Sequence, residues 1–345
     1  MKFSLKRATA GVAAVAALTI ALSGCAETGP SNDGGSSESG SSDLSITMLP
    51  KNLGNPYFDA STTGAKAAAE DLGAEFEEVG PTEATPDGQV SYINTAAQQQ
   101  RSALVVAAND PNAICDALNE ARDAGTKVVT FDSDTNPECR DLFINQADAE
   151  GIARVEGDLI AEQIGEKGQV AILSATANAT NQNAWNEAFE KYVGENYPDI
   201  EIVETVYGDD DDQTSFDKTA ALLQTYPDLK GIVSPTTVGI AAAARYLSDS
   251  DAKGKIALTG LGTPNQMREY VEDGTVTAFA LWNPEDLGTL ATYAAGSLAS
   301  GDITGEEGDT FTAGDLGDFE VGADGVILLG DPFVFDADNI GDFDF

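Results

Sequence analysis

From residue 44 onward the chain repeats one unit. A short apolar run gives way to a polar turn, and the turn to a stretch long enough for a helix. The apolar runs 44–49, 75–79, 103–107 and 127–131 read as strands, with helices expected over 57–72, 87–99 and 112–124. The rhythm then recurs, with strands at 170–173, 200–206, 231–233, 256–258 and 276–281. Helices fit 152–164, 182–196, 215–226, 239–247 and 265–272. A strand roughly every 25–30 residues, each followed by a helix, is the pattern of parallel, doubly wound α/β structure. Two such sets predict two parallel-sheet lobes with a ligand cleft between them, because open α/β sheets bind ligands beyond the carboxyl ends of their strands.

The chain is expected to cross between lobes near 145–148 and again near 282–284, and a helix over 285–300 returns to the first lobe. The expected organisation is 44–146 plus 285–310 for the N-terminal lobe and 147–284 for the C-terminal lobe. A tail over 311–345 crosses between the lobes and packs on them.

Before residue 44 the pattern is different. Lys2, Lys6 and Arg7 precede an apolar stretch from Ala8 to Leu22, too short to span a bilayer comfortably. Leu22-Ser23-Gly24-Cys25 closes that stretch and matches the lipobox of bacterial lipoprotein signal peptides. Residues 1–24 are thus read as a cleaved signal and Cys25 as the lipidated residue. Residues 25–43, mostly Ser, Gly and acids after Cys25, form a tether. The folded part would sit on the extracytoplasmic face of the cell membrane, held by lipid.

Composition removes whole classes of function. The net charge is −40, and removing the signal takes away three cations and no anion. So acidic a surface repels phosphate backbones and argues against a nucleic-acid partner. With no histidine, Ser-His-Asp triads, Cys-His pairs and the commonest zinc ligand are all absent. Apart from Cys25, only Cys115 and Cys139 remain, an even pair that reads as one disulfide in an exported chain, two buried free thiols being the alternative.

Polar clusters fall where strands end. Residues 50–58 (PKNLGNPYF) offer Lys51 as a charged donor, Asn55 as a helix cap, and Tyr57 or Phe58 as a ring. Asp110 follows the third strand, and Asp132 with Asp134 follows the fourth. Asn181 and Gln182 precede Trp185, and Pro235 and Thr237 follow a second-lobe strand. Planar amides and carboxylates beside aromatic rings suit a polyhydroxylated ligand. Each cluster alone could equally cap a helix. The run Asp209–Asp212 lacks the spacing of a calcium loop and reads as a solvated turn before a helix, its acids favoured by the helix dipole. Asp132 and Asp134 have no nucleophile or metal beside them, so a carboxylate enzyme is not expected.

The chain resembles the type I periplasmic sugar-binding proteins of ABC importers, most closely the branch holding rhamnose-binding proteins and autoinducer-2 receptors. The segments that carry the resemblance are 50–58, 108–115 (ANDPNAIC), 131–140 (FDSDTNPECR), 178–185 (NATNQNAW), 234–244 (SPTTVGIAAAA), 262–276 (GTPNQMREYVEDGTV), 331–335 and 339–345. By position, the resemblance to autoinducer-2 receptors implies ligand roles for Lys51, Asp132, Gln182 and Pro235. Asn181 stands where those receptors have an aspartate, and Thr237 where they have an alanine. Relative to ribose-type binders, Leu261 and Trp282 replace polar residues and no arginine lies near Asn181. These departures suit a 6-deoxy sugar such as rhamnose.

The ligand-binding set implied is Lys51, Asn55, Phe58, Asp110, Asp132, Asp134, Asn181, Gln182, Trp185, Pro235, Thr237 and Trp282. No cofactor, metal or catalysis is expected. The partners implied are a monosaccharide, an ABC permease and, through the lipid anchor, the membrane, with the receptor acting as a monomer. A sugar-responsive repressor would share the fold, but here a lipobox and tether stand where its DNA-binding helix-turn-helix would be.

Overall fold

The structure, a computed structural model, describes residues 44–345. The signal, Cys25 and the tether lie outside the described residues. The chain alternates β1 (Ser45–Leu49), α1 (Pro56–Asp71), β2 (Glu75–Glu78), α2 (Pro86–Gln98), β3 (Ala103–Val106), α3 (Cys115–Asp123), β4 (Lys127–Phe131) and β5 (Leu142–Asn145). It crosses into α4 (Ala149–Ile164), β6 (Gly168–Ser174), α5 (Thr180–Asn196), β7 (Ile200–Tyr207), α6 (Asp212–Thr225), β8 (Leu229–Ser234), α7 (Thr237–Ser248), β9 (Ala257–Gly260), α8 (Pro264–Glu272) and β10 (Ala278–Leu281). Helix α9 (Pro284–Ser300) then packs along α1 and over β3 and β4. The rest forms a small hairpin, β11 (Thr310–Thr312) with β12 (Asp318–Glu320), followed by β13 (Val326–Leu328) and β14 (Phe333–Asp336).

The first lobe is a six-stranded parallel sheet in the order β13-β5-β4-β3-β1-β2. The second is a four-stranded parallel sheet in the order β7-β6-β8-β9. Strand β10 pairs antiparallel with β14, and Leu261 beyond β9 bridges to Ala280 in β10. The central strand β3 (ALVV) is apolar and buried at every residue, because helices cover both faces of the sheet. The edge strands β2 (EFEE) and β7 (IEIVETVY) interleave acids, which discourages pairing with another chain.

Two strands were hidden in the sequence. Residues 142–145 end where the crossing was expected, at 145–148, and carried no strand expectation, while 326–328 fell in the expected tail. They pair with each other, Ile144 beside Ile327, at the far edge of the first sheet. The tail next crosses to the second lobe, where Phe335 stacks on Phe279 with centroids 5.3 Å apart and packs against Phe343 and Phe345.

Helices α1 and α9 approach closely because glycines meet backbone there. A Cβ on Gly64 would fall 1.9 Å from the Glu285 carbonyl oxygen, and one on Gly288 would fall 1.8 Å from that of Ser61. Cys115 and Cys139 form a disulfide, tying the start of α3 to the loop before β5.

Candidate functional site

Carboxyl ends of strands from both sheets converge on one cavity. It is lined by Lys51, Asn55, Tyr57, Phe58, Asp132, Asn181, Gln182, Trp185, Asp210, Pro235, Thr236, Thr237, Leu261, Leu281 and Trp282. The mix of a few convergent polar groups with aromatic rings suits a small ligand.

From the first lobe, Lys51 follows β1 and is buried. Its Nζ lies 3.2 Å from Asp132 Oδ2 and donates to Asn181 Oδ1 at 3.4 Å. A buried amide network holds the Lys51 loop in place. Gln89 Nε2 donates to the Pro50 and Ala107 carbonyls, while Asn109 Nδ2 donates to the Lys51 carbonyl at 2.9 Å. Asn55 accepts from the Tyr57 backbone N–H at 3.1 Å, so it caps α1 as well as lining the cavity. Asp132 adopts φ of +59°, a left-handed conformation that costs an L-residue about 1–2 kcal/mol and that aspartate tolerates better than most. Gln146 Nε2 donates to the Asp132 carbonyl at 3.1 Å, holding that turn from the first crossing.

From the second lobe, Asn181 Nδ2 donates to Asp132 Oδ2 at 3.3 Å, so the Lys51, Asp132 and Asn181 side chains bridge the lobes. Gln182 accepts from Ser174 Oγ and the Ala175 N–H through its amide oxygen, which leaves its NH2 group to offer a ligand. Ring contacts run from one lobe to the other. Phe58 packs on Tyr57, Trp282 Nε1–H donates to the Tyr57 hydroxyl at 2.9 Å, and Trp185 lies 5.7 Å from Trp282. Burial, followed by the Asp132 carboxylate, holds the Tyr57 phenol well above its ordinary pKa, so Tyr57 stays neutral.

Ten of the twelve candidates line the cavity; Asp110 and Asp134 do not. Asp110 Oδ1 accepts from the Asn112 and Ala113 N–H groups at 2.8 Å and closes a turn, and α3 starts only at Cys115. Asp134 is gripped by Arg140 through Nε at 2.7 Å and Nη2 at 2.8 Å, and takes the Thr130 hydroxyl as well. Both carboxylates are spent on their own loops. The four-acid run also divides. Asp211 caps α6 by accepting from the Thr214 N–H, whereas Asp210, at φ of +50°, lines the cavity and accepts from Thr236 Oγ1 at 2.6 Å. Burial pushes the Asp210 carboxyl above its ordinary value, while Lys51 and the Thr236 hydroxyl pull it back. Its position after β7, at a strand end like the others, was the available signal.

An interlobe cavity lined by amides, carboxylates and rings, in two parallel-sheet lobes joined by chain crossings, defines a solute-binding protein. Residues 46–303 match the model of the periplasmic binding protein domain family. The chain belongs to that family, as a type I sugar-binding protein of the ABC-importer class that binds its ligand without catalysis. It is 55% identical to a sugar ABC transporter structure from Actinomyces odontolyticus, with 89% of this chain and 99% of that one covered at a TM-score of 0.73. An ABC transporter solute-binding protein from Clostridium phytofermentas with bound L-rhamnose is 39% identical over 88% of this chain and 98% of that one, at a TM-score of 0.84. LsrB from Clostridium saccharobutylicum in complex with AI-2 is 26% identical over 88% of this chain and 100% of that one, at 0.83.

Proposed function

We propose that this chain is the lipid-anchored receptor of an ABC importer for L-rhamnose. The observation that carries the reading is the composition of one cavity. Lys51, Asp132, Asn181 and Gln182 supply donors and acceptors for hydroxyls, while Leu261, Leu281, Trp185 and Trp282 supply apolar surface for a ring face and a methyl group. The 39% identity to the protein bound to L-rhamnose supports the same choice. Autoinducer-2 is the second reading, favoured by Lys51, Asp132, Gln182 and Pro235 and opposed by Asn181 and Thr237.

Binding would couple to lobe closure, because Asn181 reaches Lys51 and Asp132 across the cleft and a ligand held between the lobes favours the closed arrangement. A thermal-shift panel of L-rhamnose, L-fucose, D-ribose, D-ribulose and autoinducer-2 tests the proposal. Stabilisation by autoinducer-2 and not by L-rhamnose would replace the first reading by the second.

A further inference from the structure

The cavity contains three charged side chains: one ammonium, Lys51, and two carboxylates, Asp132 and Asp210. Lys51 is engaged by Asp132 at 3.2 Å. Asp210 comes from the other lobe, and its only donor among the described residues is the Thr236 hydroxyl, on Oδ1. Its second oxygen therefore retains acceptor capacity at the wall of the cleft, where a partly buried carboxylate oxygen is favoured to find a donor. A neutral sugar brings hydroxyl donors to that oxygen. A sugar acid brings a third carboxylate to a site whose single cation is already taken.

We infer that Asp210 is a specificity-determining residue of this cleft, accepting a ligand hydroxyl from the second lobe and excluding aldonates and uronates. The inference rests on the reading of the cavity as a sugar site and goes beyond it in naming the chemical class that the site rejects. It also predicts what happens when the charge is removed without changing shape. Asp210→Asn keeps an acceptor oxygen but loses the anion, so neutral-sugar affinity falls and discrimination against acids narrows together.

Calorimetric titration of the mature chain with L-rhamnose, L-fucose, D-ribose, L-rhamnonate and D-galacturonate tests this. The wild-type chain should prefer the neutral sugar over its acid counterpart by about a hundredfold or more, since like charges brought together in a desolvated site are strongly unfavourable. Asp210→Asn should bind the neutral sugar about tenfold more weakly, as expected for losing a charge-assisted hydrogen bond, and should lose most of the discrimination. Thr236→Val keeps the anion while removing its holder, so it should weaken sugar binding but still reject the acids. This separates a charge effect from damage to the loop.

Equal binding of acid and neutral sugar by the wild-type chain would overturn the inference, as would Asp210→Asn retaining affinity within twofold. Binding a neutral sugar other than rhamnose would refute the rhamnose assignment alone, and the Asp210 inference then stands if that sugar is preferred over the acids and Asp210→Asn narrows the preference, and falls if not. Binding to none of the five would overturn the inference and the rhamnose reading together.

Discussion

Glu156 makes a quantitative test of the second lobe. It lies on the inner stripe of α4 with Ile152, Ala153, Gly157 and Ile160, it is 1% exposed, and its Oε1 has no hydrogen-bond partner. No ion pair or hydrogen bond to its side chain occurs among the described residues. Burial alone carries its carboxyl from 4.5 to about 8. Between those values the folded chain keeps a proton that the unfolded chain has released. Stability therefore falls as pH rises through that window and levels off above it. At about 1.4 kcal/mol per pH unit, the full penalty approaches about 5 kcal/mol, with about 2.5 kcal/mol lost between roughly pH 5.5 and 7.5. Glu156→Gln removes the titration and keeps the shape. The difference in melting temperature between variant and wild type should therefore move in the variant's favour by about 4 °C across that interval, taking about 2.1 cal/mol/K per residue. The comparison is made between the two proteins at each pH because the many other carboxylates titrate in both. Parallel curves from pH 5 to 9 would refute the reasoning and mean that water or a rearranged side chain solvates Glu156.

Other expectations follow from single contacts. Asp132→Ala and Asn181→Ala should each abolish the sugar-induced thermal shift while leaving far-UV circular dichroism unchanged, and an undiminished shift would move the site elsewhere. Thr180 joins the lobes outside the cavity, donating to the Asp134 carbonyl at 3.1 Å and sharing a hydrogen bond with Ser133 at 3.2 Å. Thr180→Val should weaken sugar binding about five- to tenfold, the worth of about 1 kcal/mol of closure, and shift small-angle scattering toward the open form. Gly288→Ala should destabilise the first lobe by about 1–3 kcal/mol, because the added Cβ meets the Ser61 carbonyl; denaturant titration reads this directly. Reducing Cys115–Cys139, separated by 24 residues, should cost about 3.5 kcal/mol in the chain-entropy model, measured as a lower melting temperature under reductant.

The fold was legible where local pattern and tertiary role agree. Strands such as 103–106 (ALVV) announce themselves because parallel sheets covered on both faces favour near-continuous apolar runs. Strand β5 was missed because LFIN is short and sits at a crossing. Strand β13 was missed because its only partner is β5, 180 residues away by chain yet adjacent in register, a pairing no local signal encodes. At the site, strand-end position found Lys51, Asp132 and Asn181, but the same position holds Asp110 and Asp134, whose carboxylates serve a turn and Arg140. Asp210 was concealed by its neighbours: four consecutive acids look alike in sequence, and only the turn after β7 separates the helix cap, Asp211, from the residue that faces Thr236.

The proposed role of the interlobe cavity is to hold a neutral deoxysugar by binding alone. Isothermal titration of the mature chain with L-rhamnose tests it most directly. Saturable one-to-one binding that Asp132→Ala removes is expected, with the sugar recovered unchanged. No heat with L-rhamnose alongside tight binding of autoinducer-2, or conversion of the recovered sugar, would contradict it.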